Sequence, residues 1–270
     1  MTFESIAPNE RRYLLYAIDV DLDLDAQFYA IQSLLAANHN ADRELTRHIE
    51  SLVNEAKSVA GEHADLVVDE WVDSLYRSTY QDAAHSLAAV GMLTPFLESV
   101  LAQSFHALGQ KLSGRVAISH PRFKDGGKQQ WDCRRYRGES GKWWDGVVKG
   151  TMQLSEAIGL TPHLPEATAA TLSALFEYRN RNFHHGLEWP MDERLEFLEL
   201  VEASGWKEWF EKSESDHKPK IIYMSEAFTD HCVKFSGDLL DGLGAFVWAA
   251  SQDGRIQIGP SEPPPSWITE

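Results

Sequence analysis

The sequence predicts an all-α protein interrupted by one irregular, basic insertion. Three observations carry that expectation. Apolar residues recur at helical spacing over most of the 270 residues. Gly and Pro punctuate the pattern where helices should stop. Residues 113–146 break it, being rich in Gly, Arg, Lys and aromatics. A 43% hydrophobic and 11% aromatic content is enough to build a folded core.

Residues 9–37 read as helix, although acid and aliphatic residues alternate over 17–25. Asp19, Asp21 and Asp23 mimic the first ligands of a calcium loop. Leu24 stands where that loop needs Gly, and Ala30 where it needs a bidentate Glu, so the mimicry fails. Residues 41–57 place Leu45, Ile49, Leu52, Val53 and Ala56 along one stripe. Residues 62–80 form a second amphipathic segment, carrying Leu66, Val67, Val72, Leu75 and Tyr76. A longer one covers 82–112, from Leu87 to Leu108, with Pro95 as a kink or break.

In the insertion, turn signals stand at His120-Pro121, at 125–127 and at 138–141, and 116–119 has the composition of a short strand. Helix is expected again over 143–158, opened by Trp143 and Trp144. A break at 159–165 follows, and then a helix over 165–185. Gly186 is placed to cap it and Pro190 to forbid its continuation. Residues 194–210 and 225–250 read as two further helices. The tail after 250, with three consecutive prolines, reads as extended or disordered.

A formal net charge of −16 argues against broad affinity for nucleic acid. The charge is uneven, however: residues 111–149 hold ten Lys and Arg against four Asp and Glu. Arg134, Arg135, Arg137 and Lys128 in this segment are interleaved with Phe123, Trp131 and Tyr136. Cations for phosphates and rings for bases suit single-stranded RNA, so these four are candidate RNA contacts. Salt bridges to the acidic remainder of the chain are the alternative. Cys133 and Cys232 form no zinc or disulfide pattern. No signal peptide is visible, and the run at 239–250 is too short to span a bilayer, so a cytoplasmic protein is expected. No metal site and no cofactor is expected.

The most informative stretch is 179–186, Arg-Asn-Arg-Asn-Phe-His-His-Gly. On a helix, Leu172, Phe176 and Phe183 share a stripe. Arg179 falls within it, three residues after Phe176 and four before Phe183, and Asn180 lies at its edge. His184 follows Asn180 by four, so the two stack on one face. This register predicts Arg179, Asn180 and His184 facing something packed, with Arg181 and Asn182 toward solvent. A histidine is a natural proton donor or acceptor near neutral pH. An arginine beside it suits phosphate and a charge-rich transition state. Together they have the means to cleave RNA without metal, by attack of a ribose 2′-hydroxyl on the adjacent phosphorus.

The pattern of an Arg, a polar residue and then a His on the closing helix of a bundle resembles the signature of the HEPN superfamily. Here it reads Arg179, Asn180 and His184, with His185 as the alternative histidine. The resemblance covers about residues 80–250. It implies a helical core of four to five helices that dimerises, bringing two copies of the motif together. It implies a metal-independent endoribonuclease in a toxin–antitoxin, phage-defence or RNA-processing role, with RNA as substrate and an antitoxin or regulatory protein as partner. Other members have lost catalysis and serve as nucleotide-binding or assembly modules, the alternative reading here. A tyrosine two positions after the histidine marks one regulated subgroup; Gly186 or Leu187 stands there instead. The expected organisation is an N-terminal helical region at 1–79, the HEPN-like domain at 80–250 and a tail at 251–270.

Overall fold

The computed structural model describes residues 8–112, 120–124 and 127–257, excluding the side chains of 8–10 and 128. The expected strand-like piece at 116–119 and the prolines of the tail lie outside the described residues. What is described is mostly helical, with two small antiparallel sheets. A 3-10 stretch, Pro8–Ile18, leads into α1 (Leu24–Ser58), α2 (Glu62–Leu112), a hairpin of β1 (Arg135–Arg137) and β2 (Trp143–Asp145), and α3 (Val147–Ile158). There follow α4 (Thr168–His185), α5 (Met191–Ser204), a second hairpin of β3 (Phe210–Ser215) and β4 (Lys218–Met224), and α6 (Glu226–Gln252).

Several expected boundaries shift. The helical segments expected at 62–80 and 82–112 are one helix, α2, which continues through Pro95. Residue 80, the expected domain boundary, therefore lies inside α2. Pro95 offers no N–H to the Gly91 carbonyl, a loss that a long, packed helix tolerates. By composition alone, α2 holds an 18-residue window of mean hydropathy 1.3, apolar enough to cross a bilayer; half of that window is buried in the protein. Trp143 and Trp144 do not open a helix: they lie in β2, where Trp144 pairs with Tyr136 and Trp143 with Arg137. The helix expected over 194–210 stops at Gly205, which has φ 72° and takes the left-handed cap. The β3–β4 hairpin follows it. Its two-residue turn is Asp216-His217, both at positive φ, the geometry that hairpin twist selects.

The chain divides into two units. The first holds residues 1–24, 95–173 and 233–270. Its core includes Leu97, Leu101, Phe105 and Leu108 of α2, Leu154 and Ile158 of α3, and Leu239, Leu243 and Phe246 of α6. The Arg12 guanidinium grips the Asp241 carboxylate through Nε at 3.2 Å and Nη2 at 3.3 Å. The insertion is organised by Arg122, which is 1% exposed. Its Nε donates to the Gln130 carbonyl (2.7 Å) and Nη2 to the Asp132 carbonyl (2.7 Å). Nη1 donates to the Arg135 carbonyl (2.8 Å) and to Gln153 Oε1 (3.0 Å). Burial pulls this guanidinium down to about 10, still charged at neutral pH. One buried cation thus ties loop, hairpin and α3 together.

The second unit holds residues 25–94 and 174–232. The turn at Gly61 folds α2 back along α1, and Asp42 of α1 takes His85 Nδ1 at 2.8 Å and Gln81 Nε2 at 2.8 Å from α2. Behind this pin sits Asp82. Burial first, then the carboxylates of Asp42 and Glu211, push it up to about 6, with His85 opposing. The native state therefore binds a proton at Asp82 more tightly than the unfolded chain, whose Asp titrates near 3.9. Stability contributed there falls as pH rises from about 4 through about 6. Asp82→Asn is expected to flatten that part of the stability–pH curve and to raise the urea midpoint at pH 7. An unchanged pH profile would contradict the assignment.

Candidate functional site

The last three turns of α4 lie in the second unit, and an aromatic cluster sets their register. Tyr178 is fully buried, with ring centroids 5.6 Å from Trp189, 5.9 Å from Phe197 and 5.2 Å from Phe210. Its hydroxyl donates to the Ile222 carbonyl of β4 at 3.0 Å. Leu175, Tyr178 and Asn182, spaced by three and four, form the buried face. Asn182 is 3% exposed and its Nδ2 donates to the Tyr178 carbonyl at 3.0 Å.

This register corrects the expected one. Asn182, expected toward solvent, points inward. Arg181 is no free surface cation: its side chain is 11% exposed. It meets Glu177 at 2.8 Å, Glu196 at 3.3 Å and Glu193 at 3.6 Å, and its guanidinium lies 5.2 Å from the centre of the Phe197 ring. The physical reason is the missed β3–β4 hairpin. Leu172 and Phe176 of the expected stripe are buried, but Phe210 and Ile222 add Tyr178 to the packed side, and Asn182, four residues on, is buried with it while Phe183 is not. Glu177 four residues before Arg181, and the acidic run of α5, were the available sequence signals.

The other face of the same turns carries the motif, in the open. Asn180, Phe183, His184 and His185 are exposed and Arg179 is half-buried. Arg179 Nη1 donates to Asn180 Oδ1 at 3.3 Å. Its guanidinium lies 5.8 Å from the centre of the Phe176 ring and 5.7 Å from that of Phe183. Arg179 and His184 are therefore not packed inward, as the sequence register predicts; they flank Phe183 on the outward face. His185 turns toward α5 and meets Glu193 at 3.8 Å. Among the described residues, no carboxylate pairs with His184. Of the two histidines, His184 is the one that lies a helical turn from Asn180.

The candidate RNA contacts of the insertion belong to the first unit, and the chain itself engages each of the described guanidinium groups. Arg134 meets Asp132 at 2.9 Å and Arg135 meets Asp145 at 3.2 Å. Arg137 Nη1 donates to the Pro121 carbonyl at 2.7 Å, and its backbone exchanges hydrogen bonds with the Gln153 amide. The Lys128 side chain lies outside the described residues. Among the described residues, no three His, Cys, Asp or Glu side chains converge as metal ligands would.

Arg181 offers a control that separates support from chemistry. Arg181→Ala removes one partner from three carboxylates and is expected to cost about 1–3 kcal/mol. Urea denaturation measures this, and a midpoint equal to wild type would show that the network does not hold α4 on α5.

Comparison of the chain with protein-family models, with curated proteins and with solved structures finds no match.

Proposed function

We propose that the protein is a metal-independent endoribonuclease of HEPN type, acting in the cytoplasm as a homodimer whose two α4 faces meet around the RNA. The observation that carries this reading is that Asn180 and His184, one helical turn apart, are exposed and that Asn180 holds Arg179, while Arg181 and His185 are paired with carboxylates. In the proposed reaction His184 takes the proton of a ribose 2′-hydroxyl. The 2′-oxygen bonds to the adjacent phosphorus and the bond from phosphorus to the 5′-oxygen breaks. The proton is returned to the leaving oxygen, giving a 2′,3′-cyclic phosphate and a 5′-hydroxyl. Arg179 stabilises the charge on the phosphoryl oxygens, and Asn180 orients Arg179 through its amide oxygen. A toxin, phage-defence or RNA-processing role, with an antitoxin or regulatory protein as partner, follows from the same resemblance.

Digestion of mixed RNA by the purified protein in EDTA tests the proposal. Fragments with cyclic phosphate ends are expected; intact RNA at high enzyme would contradict it. A second reading, a non-catalytic nucleotide-binding or assembly module, is favoured by one observation. Glu177, Glu193 and Glu196 neutralise Arg181, and Glu193 takes His185, so neither is a free cation for a polyanion.

A further inference from the structure

Phe183 is 63% exposed, although it sits on a helix whose other face is well packed. The Arg179 guanidinium, one turn earlier on the helix, lies 5.7 Å from the centre of its ring, and His184 follows it in sequence. On α2, a Cβ built at Gly91 would stand 3.9 Å from Phe183 Cζ, so the glycine leaves room at the ring tip. The three carboxylates that meet Arg181 are held on another side of α4, because Arg181 projects about 160° around the helix from Phe183. Asn180 spends its Oδ1 on Arg179, which leaves its Nδ2 donors for an acceptor on an incoming group.

An open aromatic ring beside a guanidinium that is itself held by an amide has the chemistry of a nucleobase platform. A purely apolar partner would leave those polar groups unpaired against it. We infer that Phe183 stacks a base of single-stranded RNA beside the scissile phosphate, so that the site takes unpaired ribonucleotides. This rests on reading the α4 face as the nuclease site.

The test uses the full chain and a short 2′-O-methyl oligoribonucleotide carrying 2-aminopurine, which binds without being cut. Stacking on Phe183 is expected to quench the 2-aminopurine fluorescence. Phe183→Leu keeps an apolar side chain without a π face. It is expected to abolish the quench, to weaken binding about 5- to 150-fold and to raise KM for cleavable RNA by a similar factor with kcat retained. Phe183→Trp is expected to restore quench and affinity. As the ring is exposed, denaturation midpoints should match wild type. Equal binding and quench in wild type and Phe183→Leu overturn the inference, as does a wild type that does not bind the probe. A Phe183→Leu protein whose only defect is dissociation from dimer to monomer in sedimentation overturns it too, and assigns the ring to an interface. The nuclease reading fails separately. Quenched binding through Phe183 with no cleavage of natural RNA sinks catalysis and keeps the platform, while cleavage with an unchanged KM in Phe183→Leu does the reverse.

Discussion

Arg179→Ala and His184→Ala should each reduce RNA cleavage in EDTA by about 10²-fold or more, while His185→Ala stays within a few-fold of wild type. General acid–base catalysis by a positioned histidine contributes about 10²–10⁴-fold. Removing one preorganised donor to transition-state charge costs about 10²–10³-fold. The contrast between the histidines is the informative part. His184 is exposed one helical turn from Asn180, which holds Arg179, whereas His185 is drawn to Glu193 at 3.8 Å. Both side chains are exposed, so neither change should move the denaturation midpoint by more than about 0.5 kcal/mol. Cleavage assays on wild type and the three variants, each checked for its midpoint, give the answer. A larger loss in His185→Ala than in His184→Ala would reassign the base. Equal inertness of all four proteins would leave the binding or assembly reading.

The largest expected effect on stability lies at Arg122. Arg122→Met keeps the length and apolar stem of the side chain but removes donors serving four backbone carbonyls and one amide oxygen. It also removes a guanidinium 5.1 Å from the centre of the Trp143 ring. Each buried acceptor left unmatched costs about 1–3 kcal/mol, so a loss of about 4 kcal/mol or more is expected. That is a large fraction of the roughly 5–15 kcal/mol by which domains are stable. Arg122→Lys should rescue little, because a single ammonium cannot serve acceptors spread around a planar fork. Urea denaturation followed by tryptophan fluorescence measures both variants. A loss under about 1 kcal/mol in Arg122→Met would mean that the insertion is held by something else.

The extent of α4 was legible because its end is written locally: Gly186 takes φ 74° and stops the helix after His185. Its register was not. Of the expected inward stripe, Leu172 and Phe176 are buried and Phe183 is not. Tyr178 wins because Trp189, Phe197 and Phe210 reach it from later in the chain, and Asn182 is carried inward with it. The candidate residues were thus found for their chemistry and placed on the wrong face. The β3–β4 hairpin was missed because Asp216 and His217 adopt positive φ without glycine, so the usual turn signal is absent. Arg122 is one of the ten Lys and Arg of residues 111–149. Nothing in a sequence distinguishes a cation that staples carbonyls from one that meets solvent, until the loop is folded around it.

One substrate tests the central claim directly: an unpaired DNA oligonucleotide containing a single ribonucleotide, incubated with wild type in EDTA. Cleavage only on the 3′ side of that ribonucleotide is predicted, leaving a 2′,3′-cyclic phosphate by mass spectrometry, and absent from Arg179→Ala and His184→Ala. Cleavage at deoxynucleotides, cleavage that requires added divalent metal, or undiminished cutting by His184→Ala would contradict a metal-free site on the outward face of α4.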